Sequence, residues 1–384
     1  MKRLPKILAI LACAFVVMVA ATIYVGMRVV QEFLPGATSD KEPPEFSTPK
    51  VTDGEGNFAK ASFYADHDLG IITQLRYRST SADGKAQLAI VGTSGALFLT
   101  ADRTLIKKVH FLGNENREAI AVAEPTEARN PLFLTHGSWS APVVLFDESG
   151  NPLWTYGAYL GVDDSAAGDL NGDGKTEIAV GMNGAGGVRL LDASGKEIWT
   201  QPDGNVWHVE ILSGSNGTPG LILNSNARGI LVIRNNRGEV VARKKLGTYL
   251  SDFSLVRWDN EPTPTHVVAA DSSNVYVYTW DGKPVADFNA PAPGLFDEIK
   301  ATEVRFSHDT NDFAVLRYYS RWKKSVLTIN GANGALGFRE IIGDACDSLE
   351  AMPEGDGSLL LLGCTGGNVW QYAPARNAPA HSPD

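Results

Sequence analysis

Turn glycines at Gly150, Gly195, Gly238, Gly282 and Gly334 recur at separations of 45, 43, 44 and 52 residues. Each sits in one kind of unit: an apolar strand, a tight turn, a second strand. The clearest copies are VVLFDESGNPLWTYG (143–157) and VRLLDASGKEIWTQP (188–202), with looser ones at 230–247, 275–288 and 326–343. Upstream, 96–109 keeps the frame without the glycine, and another unit lies at 50–64. A second marker agrees: apolar strands end at Gly92, Gly181 and Gly363, with gaps of 89 and 182 residues, near two and four periods. A period of this length with about four strands per unit is that of a β-propeller blade, which hides its two faces only by stacking on neighbours. The turn marks predict an all-β, seven-bladed β-propeller. The long, irregular 293–343 unit leaves six or eight blades open.

The last unit stops after Asn368–Tyr372, short of an outer strand, whereas 57–64 is an outer strand with no blade before it. Pairing the two closes the ring and removes two open edges. The propeller is therefore expected over 50–373, with 374–384 a disordered tail.

The N-terminus has a different character. Lys2, Arg3 and Lys6 precede an uncharged run, residues 7–27. As a helix those residues would be about 31 Å long, enough to span a bilayer core. Residues 1–30 are read as a cytoplasmic stub and transmembrane signal anchor, with the bulk of the chain periplasmic or extracellular. A cleaved signal peptide ending near Val19-Ala20-Ala21 is the rival, and a lipoprotein signal at Cys13 a poorer one. The Pro-rich, polar 31–49 stretch reads as a stalk. Removing residues 1–30 takes away Lys2, Arg3, Lys6 and Arg28, leaving 30 basic and 44 acidic side chains, a formal charge near −14. Such a body argues against nucleic acid and anionic membrane surfaces as partners. In an oxidising compartment Cys346 and Cys364, placed symmetrically about a turn at residues 353–357, would sit opposite each other in a hairpin and form a disulfide.

One loop carries a distinct chemistry. In DLNGDGKTE (169–177), Asp169, Asn171 and Asp173 alternate, Gly174 allows a sharp turn, the Lys175 carbonyl is available, and Glu177 closes the set just before a strand. Oxygen donors at every second residue of a tight loop suit calcium, a hard cation that takes six to eight of them. The segment AAGDLNGDGKTEIAVG (166–181) resembles the FG-GAP, or VCBS-type, repeat of integrin α-subunit propellers and bacterial surface proteins. That resemblance implies a calcium loop between the first two strands of a blade, with Asp169, Asn171, Asp173, Lys175 and Glu177 as ligands. In the corresponding blade 1 segment, 79–87, Ser79, Ser81 and Gln87 replace the oxygen-rich residues, and no tight site is expected there. The Gly-x-x-Leu/Ile-Trp turns at 150–154 and 195–199 also resemble quinoprotein-type repeats; their tryptophans are read as packing between blades.

The other face of the ring is expected to gather His136, Trp139, Arg228, Tyr319, Arg321 and Trp322, with Tyr159 and Tyr249 nearby. Aromatic and Arg side chains on loops of a rigid scaffold suit recognition of a partner. No nucleophile elbow, zinc motif or clustered histidine set is present; Asp163-Asp164 and Asp297-Glu298 are acidic pairs with nothing in sequence to aim them. The expectation is a non-catalytic, membrane-anchored scaffold for a protein partner. A hydrolase or lyase acting on exported polymers, or a carbohydrate-binding protein, stays open beside it.

Overall fold

The computed structural model describes residues 42–47, 55–56, 58–78, 86–114, 119–123, 131–136, 141–157, 161–214, 219–258, 264–307 and 310–375. The expected anchor, the tail from 376 onward, Trp139, Tyr159 and residues 79–85 lie outside them. Among the described residues no helix is long and apolar enough to cross a membrane.

The strands form seven antiparallel sheets, each a blade built in chain order from the ring's axis outward. Blade 1 comprises Ile72–Arg78, Gln87–Gly92, Gly95–Thr100 and Leu105–His110. Blade 2 runs from Ala119–Ala123 to Pro152–Tyr156, blade 3 from Val162–Gly168 to Glu197–Gln201, and blade 4 from Val206–Leu212 to Val240–Lys244. Blade 5 runs from Ser254–Val256 to Pro284–Asn289, and blade 6 from Glu298–Ser307 to Leu336–Ile342. The ten-residue strands Glu298–Ser307 and Thr310–Tyr319 make blade 6 long, which accounts for the 52-residue spacing. Blade 7 takes Cys346–Glu354, Gly357–Cys364 and Asn368–Pro374 from the chain's end, and its outermost strand is Phe58–Ala65, antiparallel to Asn368–Pro374.

The core is distributed. Seven apolar clusters each join two adjacent blades, as a blade with two apolar faces requires. Val188 and Leu190 of blade 3 meet Val209 and Ile222 of blade 4, and Leu75 and Leu88 of blade 1 meet Leu359 and Leu361 of blade 7, so the seam closes. The middle strands are covered on both faces, and Gln87–Gly92 and Glu177–Met182 are buried throughout. Outer strands alternate instead.

The Gly-x-x-Leu/Ile-Trp turn has a specific job in this stacking. Trp154 Nε1 donates to the Ala193 carbonyl of the next blade (2.9 Å), and Trp199 Nε1 to the Asn236 carbonyl (3.0 Å). Each ring lies on the next turn glycine: a Cβ at Gly195 would fall 2.9 Å from a Trp154 ring carbon, and one at Gly238 3.0 Å from Trp199. Both glycines also have positive φ. Cys346 and Cys364 pair across the hairpin of blade 7 and are joined by a disulfide.

Part of the expected stalk is packed on the propeller. Phe46 is only 2% exposed, and its ring meets Tyr319 edge-on at 5.0 Å in a cluster with Ala292 and Val326. Lys324 Nζ binds the Glu42 carboxylate and donates to the Phe46 carbonyl (2.7 Å). Glu55–Gly56 then adds a short strand to the outer edge of blade 6. Polar, Pro-rich composition signals an extended tether, but one Phe meeting an aromatic pocket is enough to dock it.

Candidate functional site: the channel and its two faces

The face carrying the acidic 169–177 loop comes first. The loop joins the first and second strands of blade 3, Val162–Gly168 and Glu177–Met182. Gly172 and Gly174 both have positive φ, the conformation that lets the loop fold back on itself. Asp169 Oδ1 accepts from the Gly172 and Asp173 amides, and its Oδ2 from Gly174. Asn171 Oδ1 accepts from the Asp173 amide and Asp173 Oδ1 from Lys175. Glu177 Oε2 accepts from the Leu170 amide, while Asn171 Nδ2 donates to its Oε1 (3.2 Å). Burial, and then Asp173 and Asp169, push the Glu177 carboxyl above its usual range despite the Leu170 bond. The donor set is all oxygen, and its carboxylates are near enough to repel one another. Among the described residues, however, no three His, Cys, Asp or Glu side chains converge as metal ligands. The residue types fit calcium, and a bound ion would take these oxygens in exchange for the loop amides.

On the opposite face the structure gathers some of the expected residues and hides one. His136 ends the second strand of blade 2. Arg228 is exposed in the blade 4 turn, where its amide bonds Asn226 Oδ1. Tyr249, 51% exposed, covers Gly229 and lies 6.0 Å from the Trp207 ring. Arg321 is exposed and its guanidinium lies 4.9 Å from the centre of the half-buried Trp322 ring. Tyr319 is not a surface residue: at 1% exposure it is sealed under Phe46. The basic-aromatic island of blade 6 is thus partly occupied by the chain's own N-terminal segment.

Between the faces runs a charged channel that sequence alone did not reveal. The innermost strand of each blade has one unpaired edge, and its amides need partners. Four blades solve this with the same device. Gln74 Oε1 accepts from Val122, Asp164 Oδ2 from Val209, Asp252 Oδ2 from Ile299, and Ser348 Oγ from Leu75, each an amide on the next blade. A bulge precedes Gln74, Asp164 and Ser348, turning these side chains toward the neighbouring blade.

Two of these latches share one histidine. His208 Nδ1 lies 2.6 Å from Asp164 Oδ2 and 3.3 Å from Asp252 Oδ1, and its ring packs edge-on against Phe253 at 4.7 Å. Burial disfavours the charged ring, but Asp252 and Asp164 outweigh it and hold His208 well above the usual imidazole range. Burial pushes Asp252 up to about 6 against the pull of His208 and Lys300. Asp163, beside the latch, is also pushed to about 6 by burial and by Asp164. Further round, burial and then Glu298 keep Asp347 well above the ordinary carboxylate range, and the two carboxyls share a hydrogen bond. Lys300 Nζ lies 3.6 Å from Glu298 Oε2. One level along the strands Glu350 meets Arg257 at 3.2 Å; burial lifts it to about 7 although Arg257 and Arg76 oppose this. Of the acidic pairs noticed in sequence, Asp164 and Glu298 point into this network, while Asp297 caps the Ser320 amide (2.7 Å). His208, Lys300 and Asp347 were missed. Their one signal is charge at alternate positions of an inner strand, as in His208/Glu210 and Glu298/Lys300.

Seven blades round a charged axis, with one acidic hairpin loop, define the molecule as a seven-bladed β-propeller. Solved structures share that fold. BBS1N in complex with ARL6DN is 15% identical, with 83% of this chain and 98% of that chain covered, at a TM-score of 0.52. Virginiamycin B lyase from Staphylococcus aureus is 10% identical over 82% of this chain and 99% of its own, at a TM-score of 0.56. At such identities the likeness concerns fold alone. No protein-family description and no curated protein matches the sequence.

Proposed function

We propose that the protein is a membrane-anchored, exported scaffold that binds a protein partner through the face carrying the second-to-third turns. The observation that carries this reading is the docked segment Glu42–Ser47. The blade 6 hairpin already grips a short segment, a 3-10 turn at Pro44–Ser47, with an aromatic pocket and a lysine, leaving Arg321, Arg228 and Tyr249 exposed on the same face. Aromatic and Arg side chains are the types enriched where a partner binds tightly. The same fold in BBS1N is seen in complex with ARL6DN, a protein partner. The test is capture from detergent extract. The full-length chain is expected to retain one specific protein that Arg321→Ala with Arg228→Ala loses; equal recovery by both, or none by either, would refute the reading.

Calcium in the 169–177 loop is the second part of the proposal. Asp169, Asn171, Asp173, the Lys175 carbonyl and Glu177 would hold it. When bound, the ion would neutralise the clustered carboxylates of Asp169, Asp173 and Glu177, of which, among the described residues, only Asp173 has a nearby cation, the exposed Lys175 at 3.7 Å. Its role is structural, fixing the blade 3 hairpin, so stability should follow calcium concentration. At calcium a hundredfold above its dissociation constant the expected gain is about 2.7 kcal/mol, read as a raised unfolding temperature that Glu177→Gln abolishes. An unfolding temperature indifferent to calcium and EGTA removes this part of the proposal.

A second reading, a hydrolase or lyase acting on exported polymers, draws support from the buried acids at the channel end. Turnover of an exported polysaccharide, lost in Asp163→Asn, would favour it over the scaffold.

A further inference from the structure

The channel is electrically graded. At the end nearest the second-to-third turns, blades 3, 5, 6 and 7 contribute the carboxyls of Asp164, Asp252, Glu298 and Asp347. Against them stand the cationic ring of His208 from blade 4 and the Lys300 ammonium, which reaches back to within 3.6 Å of Glu298. Two residues further along the strands the excess is smaller, Arg76 against Glu210 and Glu350. Beyond that level come Arg78 and Arg257. The axis thus passes from an excess of negative to an excess of positive charge over about 13 Å, four residues of strand.

Asp347 and Glu298 share a proton across their hydrogen bond, and the pair together with Asp164 and Asp252 still leaves an excess of buried carboxylate, which calls for a counter-charge. Asp347 gives the need an address. It is 7% exposed and lies among Glu298, Lys300 and Asp252. Its Oδ1 has no hydrogen-bond partner among the described residues. Such an oxygen lacks a donor. The cluster is also within reach of solvent: the side chains of Glu210 and Glu298 are each 34% exposed and that of Lys300 27%. Lys300 itself indicates which cation suits the space, since its ammonium group is accommodated between Glu298 and its acidic neighbours.

We infer that the acidic end of the channel is a binding site for a primary alkylammonium group, which donates charge-assisted hydrogen bonds to Asp347 and Glu298. Arg78 and Arg257 at the far end limit how deep the cation travels. A free small amine and the lysine side chain of a partner share this chemistry.

Calorimetric titration of the full-length chain tests the site, with butylammonium, Nα-acetyl-lysine amide and the neutral isostere 1-butanol as probes. Butylammonium should bind and butanol should not. Comparable or tighter binding of the lysine amide identifies lysine as the natural ligand, and its failure beside butylammonium identifies free amines; both support the site. Asp347→Asn should weaken binding at least about tenfold, the effect of losing one charge-assisted partner. Glu298→Gln takes its place should Asp347→Asn not fold. Butylammonium binding no tighter than butanol, or unchanged in a folded variant, would overturn the inference.

Discussion

His208 is the side chain on which the channel's electrostatics turn. It answers two carboxylates that each tie neighbouring blades together, Asp164 to Val209 and Asp252 to Ile299. Replacing it takes the cation from Asp164 and leaves Asp252 with Lys300 alone, so His208→Gln should cost about 3 kcal/mol in denaturant unfolding. The pH dependence follows from the signs. A raised imidazole pKa gives stability that is complete below the unfolded value and fades as pH rises through the folded one. Asp163 and Asp252, pushed up to about 6, and Glu350, pushed to about 7, act in the same direction, because the fold keeps protons that the unfolded chain has released. The unfolding temperature should therefore fall between about pH 5 and about pH 8, and fall less in His208→Gln. A wild-type protein that gains stability over that range contradicts this account. Little of it was legible in the sequence. Asp163-Asp164 and Asp297-Glu298 are visible as pairs, but which member faces the axis depends on a bulge and on residues one blade away.

At the scale of single elements, the turns were easier to read. A glycine followed three residues later by an aliphatic residue and then Trp repeats at 150–154 and 195–199, and the reason is mutual: the Trp of one blade lies on the turn glycine of the next. Gly195→Ala places a methyl group against the Trp154 ring at a positive φ, so both strain and overlap oppose it. A loss of about 2 kcal/mol in unfolding free energy is expected; Trp154→Ala in the same background should recover the overlap part but not the strain. Additive losses from the two substitutions would mean that ring and turn are independent. In blade 1 the same turn position is held by Arg103, a non-glycine residue at positive φ, which is why the glycine count misses that blade. The Glu42–Ser47 segment was not legible, because composition reports average polarity and Phe46 is a single residue. The 169–177 loop was readable as a pattern of oxygens, and its folded form satisfies those oxygens with its own amides.

For the whole molecule, periodicity carried most of the fold. Six turn marks fall in blades 1 to 6 and the 50–64 unit supplies the outer strand of blade 7, because each blade must bury two faces and therefore repeats the same buried and exposed positions. The irregular 293–343 unit, which left the count open, is one blade with a lengthened first hairpin. Channel polarity was out of reach for the opposite reason: it arises from residues some 40 positions apart that meet only round the axis. The result is a ring with unlike ends, the acidic 169–177 loop and Arg78 and Arg257 towards one, buried acids and a partly occupied aromatic hairpin towards the other. The scaffold proposal assigns recognition to the second end. Site-specific photocrosslinking in intact cells tests that assignment, with the crosslinker placed at Arg321 on one face and at Lys175 on the other. One discrete protein adduct from position 321, absent from position 175, is the predicted result; no adduct at 321, or the same adduct from both positions, would contradict it.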